Sequence, residues 1–271
     1  MKRIFSGLLV ALIFVSSAHA RGLDVIRSTR LMSVAVYSNF APFSGEAQGI
    51  DMEIAQALGD RLGVKINFLV FEADESMDDD LRNMVWKGTV LGFGPADVMM
   101  HVPTEAAFAN RNEQVAIFGA YFRDTLQIAR NLERIPELRS LAALEHEPVG
   151  VEVESMGADL LGSPYGGTRV RDLHHYGDMQ QAFADLQTGV VSAVLALGSQ
   201  AQAAMSNKTG FAVDMAPLAG RVPPGGWSYG LAVKAEHADL AAALDKAMAE
   251  LERNGTLDAI FKRHGVKRLK P

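Results

Sequence analysis

The chain has 271 residues, a formal net charge of −6 and no cysteine. The lack of cysteine excludes disulfides, thiolate metal sites, iron–sulfur clusters, cysteine nucleophiles and a lipid anchor attached through cysteine. The acidic charge argues against nucleic-acid binding, and the short basic tail from 262 to 270 is typical of a solvated chain end.

The first 20 residues have the pattern of a cleaved signal peptide. Lys2 and Arg3 precede an apolar run, 8–15, that is too short to span a bilayer. Small residues at Ala18 and Ala20 fit a signal peptidase site, so we predict cleavage after Ala20 and export to the periplasm. No other stretch approaches a membrane span in length, and no membrane insertion is expected after cleavage.

Strand and helix patterns alternate in the first half of the chain. Alternating or continuous apolar residues predict strands at 31–37, 64–68 and 96–100. Apolar residues at helical spacing predict helices at 51–62 and 78–86, and Gly63 is typical of a helix C-terminus.

The second half repeats this alternation. The patterns predict strands at 148–153, 169–174, 190–197 and 227–234, and helices at 155–161, 178–188 and 237–254. Alternation in both halves predicts two α/β lobes, each a mostly parallel sheet flanked by helices. Because no flexible linker separates them, we expect strands near 121–130 and 227–232 to cross between lobes. The predicted bounds are 21–122 with 228–271 for lobe 1, and 123–227 for lobe 2.

Several segments resemble the periplasmic solute-binding proteins of the amino-acid type (family 3) that serve ABC transporters. The matching segments are Phe40-Ala41-Pro42-Phe43, 49–55, 96–100, 229–234 and 254–260. In order and spacing the resemblance covers residues 30–265. It implies the two-lobed type II periplasmic binding protein fold, closure on a small polar solute without enzymatic activity, and no cofactor or metal.

The resemblance also implies solute-binding residues. Phe40 corresponds to a stacking aromatic residue. Thr104 and Arg111 resemble the family's Thr-x-x-Arg, although here they are seven residues apart instead of three. A guanidinium fork suits a carboxylate, and the alternative for Arg111 is a surface position.

Three further residues stand at predicted strand ends. His101 follows the strand 96–100, where clefts form in α/β sheets, although a lone histidine is more often structural. Glu154 and Ser155 stand where the family usually has Gly-Thr, and Ser155 is also a plausible helix N-cap. We expect Phe40, His101, Thr104, Arg111, Glu154 and Ser155 to form the solute site.

One family residue is missing. The aspartate that holds the solute's ammonium group corresponds to Leu197 here. A buried ammonium without a carboxylate is costly. Common α-amino acids are therefore expected to bind weakly, unless Glu154 replaces the missing group, and an organic acid or an unusual amine is favoured.

Three functions remain open on sequence grounds. The first is a solute-binding protein of an ABC transporter, for a small, carboxylate-bearing molecule. The second is a periplasmic accessory protein of a quinoprotein alcohol dehydrogenase, since the binding proteins encoded beside such enzymes also depart from the amino-acid pattern. The third is a dehydratase of the cyclohexadienyl type on the same fold. Motifs of serine hydrolases, zinc proteases, phosphate loops and dinucleotide sites are absent.

Overall fold

The computed structural model describes residues 20–45, 48–90, 92, 94–163, 169–218 and 220–271. The predicted signal peptide lies outside the described residues, except for Ala20. Within the described ranges no helix is both long and apolar enough to cross a membrane.

Ten strands are present in the described chain. They are β1 (Leu31–Tyr37), β2 (Lys65–Phe71), β3 (Val98–Pro103), β4 (Val115–Asp124), β5 (Leu126–Asn131), β6 (Pro148–Glu152), β7 (Asp172–Tyr176), β8 (Ala193–Leu197), β9 (Phe211–Met215) and β10 (Trp227–Lys234). They form two five-stranded sheets, ordered β2-β1-β3-β10-β4 and β7-β6-β8-β5-β9. In each sheet one strand, β10 or β5, runs antiparallel to both neighbours, and the other pairs are parallel.

Helices connect and cover these strands. They are α1 (Leu23–Thr29), α2 (Ile50–Leu62), α3 (Met77–Leu81), α4 (Ala106–Arg111), α5 (Met156–Gly162), α6 (Met179–Thr188), α7 (Gly198–Met205), α8 (Ala238–Arg253) and α9 (Thr256–Arg263). A π-helical turn, Arg82–Trp86, continues α3, so the predicted single helix 78–86 changes its hydrogen-bond pattern halfway. Gly63 and Gly189 end α2 and α6 in the left-handed conformation, as expected for C-terminal glycines.

Both faces of each sheet are buried. In β1, Val34 and Val36 belong to one apolar cluster and Ala35 belongs to the cluster on the opposite face. In the second sheet, Val149 and Val194 likewise lie in two different clusters. Burial on both faces explains why these strands are continuous apolar runs in the sequence. The two predicted α/β lobes are confirmed.

The chain crosses between the sheets at two places that touch each other. One crossing joins β4 to β5 at Asp124 and Thr125, and the other enters β10 through Gly225 and Gly226. Gly226 has φ of 78°, and a Cβ there would lie 1.8 Å from the carbonyl oxygen of Asp124. Only glycine fits this approach of the two crossings.

Candidate functional site

The carboxyl ends of the parallel strands carry the predicted site residues except Arg111. In lobe 1 the turn after β1 contains Phe40, and Thr104 follows β3. In lobe 2, Glu154 and Ser155 follow β6. In open α/β sheets this edge is where clefts for ligands form.

A cavity of about 370 Å³ lies between the turn after β1 and helices α6 and α7, and none of the six predicted site residues lines it. Ala41 and Pro42 line it from the turn after β1. From the other lobe it is lined along α6, from Gln180 to Gln187, and along α7, from Gln200 to Lys208 just beyond its end. A change in the angle between the lobes would therefore change the size of this space.

A β-bulge places His101. Met99 pairs with Ala232 of β10 and Val102 pairs with Gly230, so two residues of β3 stand opposite one residue of β10. His101 has φ of 59°, a left-handed conformation that is rare for residues other than glycine. Bulges redirect side chains, and this one turns His101 out of the regular alternation of the strand.

A second bulge lies on the opposite side of β10. Phe118 and Phe122 pair with Leu231 and Tyr229, so three residues of β4 stand opposite Gly230. A Cβ at Gly230 would lie 2.4 Å from the carbonyl oxygen of Phe118. The bulge directs the adjacent residues Tyr121 and Phe122 into the same apolar cluster, which brings Tyr121 to His101.

Asp51 at the start of α2 completes a buried polar group with these two residues. The Tyr121 hydroxyl donates to Asp51 Oδ1 at 2.5 Å, and His101 Nδ1 lies 3.2 Å from Asp51 Oδ2. The three side chains are almost fully removed from solvent. Burial, and then the charge of Asp51, raise the pKa of Tyr121 well above its usual range, so its hydroxyl remains protonated.

Aromatic rings enclose the imidazole of His101. Tyr229 stacks on it with ring centroids 4.2 Å apart, and Phe43 lies at 4.2 Å on a tilted plane. Phe40 packs edge-on at 4.8 Å. Phe43 is fully buried, whereas Phe40 and Tyr229 are only partly buried and form the outer side of this ring cluster.

Asp124 links the lobe crossing to the start of α7. Its carboxylate accepts hydrogen bonds from the backbone N–H of Thr125 and from both the N–H and the hydroxyl of Ser199. Burial raises the pKa of Asp124 above its usual range, and these hydrogen bonds offset only part of that shift. The carboxylate therefore fixes α7 to the hinge.

The structure brings two of the predicted site residues, Phe40 and His101, into contact. Thr104 directly follows β3 and lies beside Ser228 of β10. Its hydroxyl donates to the carbonyl oxygen of Ser228 at 3.3 Å. Glu154 is exposed, with φ of 56°. Ser155 is the N-cap of α5, as the alternative interpretation expected, and its hydroxyl accepts from the N–H of Ala158.

Arg111 stands apart from this group. It ends α4 with its side chain 56% exposed, and its guanidinium contacts Asp78 at 3.1 Å and the ring of Phe108. Burial raises the pKa of Asp78, but hydrogen bonds from Arg111 and Asn112 lower it to a net value below its usual range. These contacts do not support a solute-binding role for Arg111, which stays a prediction. The residue three positions after Thr104 is the exposed Ala107.

Sequence reasoning assigned no role to Asp51, Tyr121, Asp124 or Tyr229. Asp51 and Tyr229 lie within segments that carry the family resemblance, but the contact of Tyr121 with His101 depends on the two bulges. Leu197 is the last residue of β8, so an apolar side chain stands at this strand end. Within the described ranges no group of three or more His, Asp or Glu side chains is placed to hold a metal ion.

No family model matches the chain, and no curated protein is similar to it in sequence. Solved structures match its fold. An ancestral cationic amino acid solute-binding protein has a TM-score of 0.70 at 17% identity, over 90% of this chain and 99% of that one. An amino acid ABC transporter substrate-binding protein from Streptococcus pneumoniae, bound to L-arginine, has a TM-score of 0.64 at 20% identity, over 91% and 99%. The open substrate-binding domain 2 of GlnP from Lactococcus lactis has a TM-score of 0.64 at 20% identity, over 87% and 95%. The chain therefore has the predicted two-lobed periplasmic binding protein fold.

Proposed function

We propose that the protein is a periplasmic solute-binding protein that closes its lobes on a small polar molecule for an ABC transporter permease. The observation that carries this proposal is the pair of α/β sheets joined by two crossings, with a cavity between the turn after β1 of one lobe and helices α6 and α7 of the other. Hinge closure around a ligand is the known motion of such architectures. The amino acid substrate-binding proteins that share the fold support it.

The proposed division of the chain follows the crossings. Residues 21–122 and 228–271 form lobe 1, and residues 123–227 form lobe 2. Lobe 1 supplies Phe40, His101 and Thr104 to the solute, and lobe 2 supplies Glu154 and Ser155. Hinge bending takes place where one residue, Thr125, separates β4 from β5, and at the Gly225-Gly226 segment that enters β10.

The proposed solute carries a carboxylate and is not a common α-amino acid. Leu197, at the end of β8, offers no charge to an ammonium group. Glu154 lies at the neighbouring strand end and is the residue that would replace it. In that case an amino acid would bind, and Glu154→Gln would abolish the binding.

A thermal-shift screen of the mature protein against amino acids, organic acids and small amines tests the function. A solute at 100 times its dissociation constant stabilises the folded state by about 2.7 kcal/mol, which corresponds to roughly 5–10 °C for a chain of this size. X-ray scattering should show a smaller radius of gyration with the same solute. The proposal fails if no compound in the screen raises the melting temperature.

Export to the periplasm is part of the proposal. The backbone nitrogen of Arg21 lies 3.0 Å from Asp97 Oδ1, and Asp97 is buried. Cleavage after Ala20 would thus give the new amino terminus an ion-pair partner. Mass spectrometry of periplasmic extract should find a chain that begins at Arg21; secreted chains that begin at Met1 would contradict it. No contact in the described residues favours the dehydrogenase accessory role or the dehydratase, and neither is proposed.

A further inference from the structure

One buried nitrogen beside the proposed cleft has no hydrogen-bond partner in the described chain. It is Nε2 of His101, whose side chain is 4% exposed. Buried polar atoms are nearly always paired, so an unpaired one at a strand end requires an explanation. The strained φ of His101 and the bulge around it point to the same place, because such features concentrate at functional sites.

The groups around the imidazole show that Nδ1 of His101 faces the interior of lobe 1. Asp51 Oδ2 faces Nδ1 at 3.2 Å, and a carboxylate oxygen only accepts. Nδ1 must therefore carry a hydrogen. Nε2 lies on the other side of the imidazole and points away from Asp51. Because Tyr229, Phe43 and Phe40 enclose the ring, it cannot rotate to find another partner.

The carboxylate of Asp51 favours a second proton, on Nε2. Asp51 is buried at the start of α2, and its other partner is the neutral hydroxyl of Tyr121 from β4. Tyr229 from β10 stacks on the imidazole as a neutral ring. A buried carboxylate without a cation is costly, and an imidazolium beside Asp51 supplies one.

We propose that His101 is held as an imidazolium by Asp51 and that its Nε2–H donates to a carboxylate of the solute. This inference rests on the proposed function and names the lobe 1 group that recognises the solute's charge. It gives His101 the role that the sequence predicted for Arg111, whose guanidinium is occupied by Asp78 at the surface. The solute approaches past Phe40 and Tyr229, the two rings that are only partly buried.

The protonation state can be measured without knowing the solute. In mature protein labelled with ¹⁵N-histidine, two-bond correlation spectra distinguish an imidazolium from either neutral tautomer. We expect both nitrogens of His101 to carry hydrogen, and we expect its Nε2 signal to shift saturably with sodium acetate but not with sodium chloride at equal ionic strength. A neutral ring, or equal responses to the two salts, would overturn the inference.

His101→Asn isolates the role of Nε2. Asparagine tolerates positive φ and its amide can donate to Asp51, but it has no group where Nε2 stands. We expect a lower urea midpoint, because the imidazole packs against three rings, and in the folded variant at least tenfold weaker binding of a carboxylate-bearing solute from the thermal-shift screen, with little effect on its carboxamide analogue. The matched control is His175→Asn, on an exposed position of β7, which should bind as the parent does.

The two proposals fail in different ways. If His101→Asn binds the carboxylate as tightly as the parent protein, the role of His101 is refuted while the solute-binding function stands. If no compound binds the parent protein, the function fails, and the acetate titration still decides whether Nε2–H is an anion donor. A loss of binding that is equal for the carboxylate and the carboxamide would also refute the role assigned to the charge.

Discussion

Replacing Tyr121 with phenylalanine tests the buried polar group beneath the cleft. The substitution removes one hydroxyl and keeps the ring, so it leaves no large cavity. The lost bond joins two almost fully buried groups at 2.5 Å, and its acceptor is the carboxylate of Asp51. Hydrogen bonds to charged groups contribute about 1.5–3 kcal/mol, and the buried oxygen left behind finds no water. We expect the free energy of unfolding to fall by about 2 kcal/mol.

Urea unfolding followed by tryptophan fluorescence measures this loss. Tyr176→Phe is the matched control, because the Tyr176 hydroxyl also donates to an aspartate, Asp185, at 2.8 Å but is partly exposed. There we expect a loss of no more than about 1 kcal/mol, since water replaces the lost donor. The reasoning is refuted if Tyr121→Phe costs no more than Tyr176→Phe.

Three other perturbations follow from the structure. Gly226→Ala should lower the free energy of unfolding by at least about 3 kcal/mol, because its Cβ would lie 1.8 Å from a backbone oxygen. The control is Gly220→Ala, where φ is 75° but the space is open, and the same urea assay should show a loss of only about 1–2 kcal/mol. Arg111→Ala should change stability by less than about 1 kcal/mol and solute affinity by less than twofold, since its pair with Asp78 is exposed; a tenfold loss of affinity by calorimetry would restore its predicted role. Burial, more than nearby carboxylates, raises the pKa of Tyr229, so the folded chain holds this proton longer than the unfolded chain. Urea midpoints should therefore fall as the pH rises above about 10, the ordinary pKa of tyrosine, and midpoints that stay constant there would contradict this.

Some elements were poorly visible in the sequence because their local patterns are weak. Helix α7 begins with Gly-Ser-Gln directly after a buried strand, and it becomes a helix because Asp124 binds its first turn. The strand predicted at 190–197 begins only at Ala193, since the preceding residues close the turn after α6. Neither result follows from apolar periodicity, because both depend on contacts with residues distant in sequence.

The sequence by itself determined the two α/β lobes, and the resemblance of its segments to a known family indicated the fold type. It could do so because continuous apolar strands, amphipathic helices and terminal glycines depend on neighbouring residues. The membership of the candidate site was decided only by the tertiary structure. Arg111 has the right residue type, but α4 carries it to the surface beside Asp78. His101 and Tyr121 meet because two bulges flank Gly230, and the register of these bulges is set by three strands together; Asp51 reaches both residues from the start of α2.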